Sequence, residues 1–170
     1  ENDIQESIHE LENLRKKISS KNLNEQNPAL SLAYWITEIP VIYFPWGLQS
    51  CAIRFKNSLQ ENAKMHAISE DVIEASHNGI VPWERMTNLK PILLEGKEDY
   101  VKTKERWMIL KEFFEKNKIE YKEVFSVKGS ILSKIINLIY LLDYTSIYKA
   151  VISNIDPTPV AAINFVKNKL

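Results

Sequence analysis

The chain has 170 residues, 45% of them hydrophobic, and its 22 basic and 22 acidic side chains cancel to a formal net charge of zero. That is one ordinary domain with enough apolar material for a core, and the absence of a basic excess argues against general nucleic-acid binding. A lone cysteine, Cys51, excludes an intrachain disulfide framework and suits a reducing cytoplasm.

The opening "ENDIQESIHE" is acidic and polar, carries no signal-peptide pattern and lacks methionine, so it reads as a trimmed chain or a piece of a longer protein. Ile4, Ile8, Leu11, Leu14 and Ile18 fall on one stripe and predict an amphipathic helix. A polar loop follows. Pro28 then suits the first turn of a helix over "ALSLAYWITE", capped by Asn27. "IPVIYF" predicts a buried strand, and "LQSCAIRFKNSLQENA" returns to helical periodicity through Leu48, Ala52, Phe55 and Leu59.

The alternation continues. "HAIS", with His66 at its start, and "PILLEG" predict two more strands, separated by a polar turn at "SHNG". "KEDYVKTKERWMILKEFFEKN" predicts a helix with Tyr100, Trp107, Ile109, Leu110 and Phe113 apolar, and "IEYKEVFSV" has high β propensity. "SILSKIINLIYLLDYTSIYKAVISN" predicts a long, largely buried helix, bent or broken near Asp143. Its most apolar run, "IINLIYLLDY", is short of the roughly 20 residues a bilayer requires, so no membrane span is predicted. In "DPTPVAAINFVKNKL", Asp156 and Thr158 offer caps and Pro159 a helix start.

Strands alternating with helices predict an α/β, three-layer sandwich with a mainly parallel sheet flanked by helices. Ligands of such sheets bind beyond the carboxyl ends of the strands, and Glu61 and His77 both fall near predicted element ends. No phosphate loop, dinucleotide fingerprint, zinc-ligand spacing or serine-hydrolase elbow is present, so no cofactor or metal is expected. Acid–base groups are what remain. On the residues alone, Glu61 reads as a solvated helix carboxylate rather than a base, and Lys167 as a favourable charge at a helix end. His77 has the better claim, because imidazole transfers protons near neutral pH. His9 lies on a polar helix face, and Trp46, Trp83 and Trp107 read as core or interface anchors.

Five phrases in series, "NPALSLAYWITEIPVIY", "AIRFKNSLQENAK", "SHNGIVPWE", "GSILSKIINLIYLLDYTSIYKA" and "DPTPVAAINFVKNKL", resemble the second half of archaeal-type bifunctional phosphoglucose/phosphomannose isomerases. Those enzymes are built from two sugar-isomerase (SIS) domains of flavodoxin-like architecture. The resemblance makes residues 27–170 a C-terminal SIS domain and residues 1–26 a helix and linker from a first SIS domain. It implies that Glu61 in "ENAK" is the base moving a proton between C1 and C2 through a cis-enediolate. It further implies that His77 in "SHNG" opens the sugar ring from a neighbouring subunit, that Lys167 in "FVKNKL" assists at the ring and hydroxyl oxygens, and that Thr158 contacts a sugar hydroxyl. The partners implied are a phosphorylated hexose and a second copy in a homodimer, with a cytoplasmic location and no metal.

The sequence departs from the family at three places. "FPWG" stands where a small glycine- and serine-bearing turn is usual, Gly79 where an acid usually follows "HN", and Ser76 where asparagine is more usual. The family's phosphate cradle belongs to its first domain. A catalytically weakened domain that binds a sugar phosphate or a subunit for regulation is therefore the alternative expectation.

Overall fold

The computed structural model describes residues 1–170. β1 (Ile39–Phe44) and β3 (Leu89–Glu95) are near-continuous apolar runs, which only a strand covered on both faces can bury. They form the centre of a four-stranded parallel sheet of order β2-β1-β3-β4. The short edge strands are β2 (Ile68–Asp71) and β4 (Lys122–Phe125). Register pairs Val41 with Ile68, Ile42 with Ile92, and Leu94 with Val124.

Alternation along the strands assigns the two cores. Ile42, Phe44, Ile92, Leu94 and Val124 face one way. They meet Leu14 and Ile18 of α1 (Asn2–Ile18), Leu32 of α2 (Pro28–Trp35), Phe55 and Leu59 of α3 (Gln49–Asn62), and Leu138 and Leu142 of α6 (Ile131–Ile152). Val41, Tyr43 and Leu93 face the other way. There they meet Trp107, Leu110 and Phe114 of α5 (Val101–Lys116) and the crossover from β2 to β3. That crossover runs through a short α4 (Val72–Glu74), a π-helical turn (Ala75–Gly79) and a 3-10 turn (Val81–Glu84), and buries Val72, Ala75 and Trp83. Trp83 Nε1 donates to Tyr43 Oη at 2.7 Å, and its ring meets Phe114 edge-on at 5.5 Å. The expected three layers are therefore present.

Several local expectations change. The strand expected at "HAIS" lies two residues later: His66 is exposed ahead of it, while pairing with β1 selects Ile68 to Asp71. "SHNG" is a helical turn inside a crossover rather than a free turn. Ile109 and Tyr100 are exposed, because only the spacing of Trp107, Leu110 and Phe114 points α5 at the sheet. Ile4 and Ile8 are exposed too, so α1 buries only the later part of its apolar stripe.

α6 is unbroken across Asp143. Its 22 residues are long and apolar enough to cross a membrane, longer than the sequence reading allowed. Packing gives it another role: α1, α2 and α3 all lie against it, and Asp143 is bound by Arg54. Ser130 caps its start, accepting from Ser133 N. Asn27 likewise caps α2, accepting from Ala29 N and Leu30 N, as expected. Cys51 is fully buried, which pushes its thiol up to about 11.

Candidate functional site

Glu61 sits in the last turn of α3. Because α3 returns antiparallel to the strands between β1 and β2, its C-terminal end lies at the amino edge of the sheet, not the carboxyl edge expected from the α/β rule. The helix closes on Leu59 O, which accepts from both Ala63 N at 3.0 Å and Met65 N at 3.4 Å. Lys64 takes the left-handed position, φ 53°. Its Nζ donates to Glu61 O at 2.5 Å and to Pro157 O at 3.2 Å. The Glu61 side chain is exposed at the rim of a cleft of about 360 Å³ shared with Gln60, Lys64, Pro159, Val160, Ala161, Ala162 and Ile163.

Three side chains four residues apart on α3 fix this turn to α6. Arg54 Nε and Nη2 donate to the two Asp143 oxygens at 3.1 and 2.9 Å, and Ser58 Oγ donates to Asp143 Oδ1 at 2.7 Å. Asn62 Nδ2 donates to Ser146 Oγ at 2.8 Å. Glu61, one turn on from Ser58 and two from Arg54, lies beside this stripe, close enough to join Asp143 in raising the Arg54 pKa, but its carboxylate makes no hydrogen bond or ion pair of its own. Arg54 and Lys64 were not singled out from sequence, and Asp143 stood out only as a bend or break in its helix. The signal for Asp143 was there, as the lone acid in an apolar helix; Lys64 carried none beyond following a helix end.

The segment after α6 brings Thr158 to the same end. Thr158 N donates to Asp156 Oδ1 at 2.9 Å, a bond that holds the Asp156 carboxyl below its ordinary value. Asp156 and Thr158 thus make a turn among themselves rather than capping the next helix. α7 (Ala161–Lys167) starts at Val160 with no side-chain cap and buries no residue. Lys167, its last residue, is exposed and lies about 9 Å along the helix from Ala161 at the cleft.

His77 does not join this group. It is exposed on the π-turn, and that crossover packs on the opposite face of the sheet from α3. Within one chain the sheet stands between Glu61 and His77. Two residues further on, a Cβ at Gly79 would run into Glu70 Oε2, so the Glu70 carboxylate fills the space a side chain there would need. Partial burial, then Glu74 and Asp71, hold Glu70 above its ordinary value. A second cleft, about 440 Å³, opens among Trp83, Arg85, Lys90 and Lys118 and contains none of the four expected site residues.

The carboxyl edge is internally paired. Ser130 N donates to both Glu6 oxygens, at 3.2 and 3.3 Å, at the start of α6. Lys134 pairs with Glu98 at 2.9 Å. Glu95, buried at the end of β3, lies 2.7 Å from Lys111 Nζ without an aligned hydrogen bond, and Lys111 also pairs with Glu123. Burial pushes Glu95 up to about 7 against the pull of Lys111. The "FPWG" turn buries Phe44 and leaves Trp46 82% exposed. No three His, Cys, Asp or Glu side chains converge as a metal site.

Residues 25–170 match the model of the bacterial phospho-glucose isomerase C-terminal SIS domain. The chain belongs to this family. As a member of this SIS-domain family it is 32% identical to the bifunctional phosphoglucose/phosphomannose isomerase of Caldicellulosiruptor bescii, over 98% of this chain and 51% of that protein. It is also 32% identical to the enzyme of the same name from Thermoplasma acidophilum, over 97% of this chain and 52% of that protein. The chain spans about half the length of these curated relatives. Among solved structures, a glucose-6-phosphate isomerase-like protein from Thermus thermophilus superposes with TM-score 0.73 at 22% identity, covering 92% of this chain and 52% of that one. The sugar isomerase domain of an RpiR transcription factor from Sphaerobacter thermophilus superposes with TM-score 0.67 at 9% identity, covering 98% and 96%. At those identities the likeness is one of fold.

Proposed function

We propose that this SIS domain is the C-terminal half of a two-domain enzyme that interconverts glucose 6-phosphate or mannose 6-phosphate with fructose 6-phosphate through a cis-enediolate. The observation that carries the reading is Glu61: a carboxylate without a partner, on a helix end pinned to α6 and to the segment that follows it, at the rim of a cleft. Such a group is free to take the carbon-bound proton from C1 or C2 and return it to the other. Thr158, beside the cleft, serves as a hydroxyl contact, and Lys167 as a cation for developing enediolate charge once α7 is packed. Neither step calls for a metal.

In this scheme His77 donates and accepts the proton that opens the sugar ring. Its place across the sheet from Glu61 supports an assembly in which each site takes Glu61 from one copy and His77 from another, a homodimer. Residues 1–26 connect to a first SIS domain, which supplies the phosphate cradle and covers α7. The domain alone is then nearly inactive, because phosphate binding at a distance orients the reacting carbons. The buried thiol of Cys51 suits a cytoplasmic enzyme. Trp46 favours a second reading: an aromatic side chain 82% exposed at a turn fits a domain that docks a subunit and regulates rather than catalyses.

The test uses the two-domain parent with fructose 6-phosphate, following exchange of solvent protons into C1 and C2. Exchange supports the isomerase; binding without exchange supports the regulatory reading. Mixing Glu61→Gln and His77→Asn parents, each inactive alone, should restore activity if the site is shared between copies. A mixture as inactive as its components would refute the shared site.

A further inference from the structure

We infer that Lys64 is a positioning residue of this site: its ammonium staples the end of α3, which carries Glu61, to the segment that leads into α7, which carries Thr158 and Lys167. The inference rests on the isomerase reading above and names a residue that reading does not use.

The backbone raises the question. α3, α5 and α6 each end in a residue with positive φ: Lys64 at 53°, Lys118 at 57° and Asn154 at 55°. The left-handed region is costly for a side chain with a Cβ, which is why glycine is the usual choice at this position of a helix end. Asparagine at 154 is the common substitute; lysine at 64 and 118 is not. Lys118 makes no side-chain bond and only closes the turn, with Ile119 N donating to Phe114 O at 2.8 Å. Lys64 shares the positive φ, with a wider closing bond from Met65 N to Leu59 O, and has something more. Its Nζ bridges Glu61 O, three residues back, and Pro157 O, 93 residues on.

That second bond matters because little else holds the segment. α7 buries no side chain, and Thr158 and Lys167 are both exposed. The cleft exists because the 159–163 stretch lies beside Gln60, Glu61 and Lys64. Two carbonyl oxygens accept a cation well, since an ammonium supplies three donors from one point. Glycine at 64 would relax the backbone and lose the bridge; the sequence keeps the bridge.

The pair of lysines supplies its own control. In the two-domain parent, Lys64→Gly and Lys118→Gly should both leave the melting temperature equal to wild type or higher. Lys64→Gly alone should speed amide hydrogen exchange over residues 158–167 and lower kcat about tenfold or more, with KM changed less. Lys64→Asn, also tolerant of positive φ, should repeat the loss, and Lys64→Arg should recover part of kcat because its guanidinium can still reach both carbonyls. Exchange in Lys64→Gly matching that in Lys118→Gly would overturn the staple. Unchanged exchange and kcat in Lys64→Asn would do the same. A wild-type parent that shows no isomerase activity would refute the proposed function instead, and the exchange comparison would still decide for or against the staple.

Discussion

Glu61, at the amino edge of the sheet, is treated differently from a set of carboxylates at the carboxyl edge. It differs also from Glu120 at its own edge, which Lys90 and Trp35 both bind. At the carboxyl edge, Glu6 accepts from Ser130 N, Glu98 pairs with Lys134, and Glu95 and Glu123 share Lys111. At the amino edge, the Glu61 carboxylate has no partner, although Arg54, Ser58, Asn62 and Lys64 all fix the helix around it. A carboxylate answered by an amine or amide within its own chain stabilises the fold. One left unanswered on a rigid frame is available to something else. In this SIS domain several carboxylates at the edge where open α/β sheets usually bind their ligands are paired within the chain, and the proposed base lies at the other edge.

The sharpest break in that comparison is Glu61→Gln in the two-domain parent. It keeps size and hydrogen bonding, removes the proton acceptor, and should cost on the order of 10²–10⁴-fold in kcat with KM changed far less. Steady-state rates with fructose 6-phosphate check this. A rate within twofold of wild type would reduce Glu61 to a solvated surface charge.

Glu95 should act on stability instead. Burial raises its pKa from the ordinary carboxylate range to about 7, so between those values the folded chain binds more protons than the unfolded one. Its contribution to stability is full at low pH and falls as pH rises through that window. Lys111 is also held above its ordinary value: burial works to lower it, but the Glu123 and Glu95 carboxylates beside it outweigh that. Glu95→Gln should remove the Glu95 slope, a difference on the order of 1 kcal/mol once the partly solvated pair is discounted, with kcat unchanged. Denaturant titrations at pH 5 and pH 7.5 measure it.

Glu6→Gln should lower the melting temperature by a smaller amount, because an amide oxygen still accepts from Ser130 N but no longer answers the positive end of α6. The bond to Ser130 holds Glu6 below its ordinary pKa, so its contribution is present above the unfolded carboxylate pKa and lost as pH falls. The difference between wild type and Glu6→Gln should therefore close on acidification. Smallest of all, Trp46→Ser should change stability by less than about 0.5 kcal/mol, since the ring is almost wholly exposed. A large fall in the stability of the parent would show that Trp46 is buried against another domain, which would strengthen the docking reading.

Sequence alone determined the layered α/β class, because near-continuous apolar strands and 3.6-residue stripes are local patterns that survive in one dimension. The Asn27 cap was legible for the same reason: its side chain bonds the backbone only two and three residues away. The "ENAK" and "SHNG" phrases pointed to Glu61 and His77 as candidates but could not place them. Which edge a helix end reaches depends on the direction in which it crosses the sheet. Which face a crossover covers depends on how the strand before it pairs, here where Phe44 meets Asp71. The continuity of α6 through Asp143 was likewise decided in three dimensions, because the acid that reads as a helix break is neutralised by Arg54, 89 residues away. The role of Lys64 lay furthest from the sequence. A lysine after a helix looks like any solvated charge until folding brings the carbonyl of Pro157 within 3.2 Å of it.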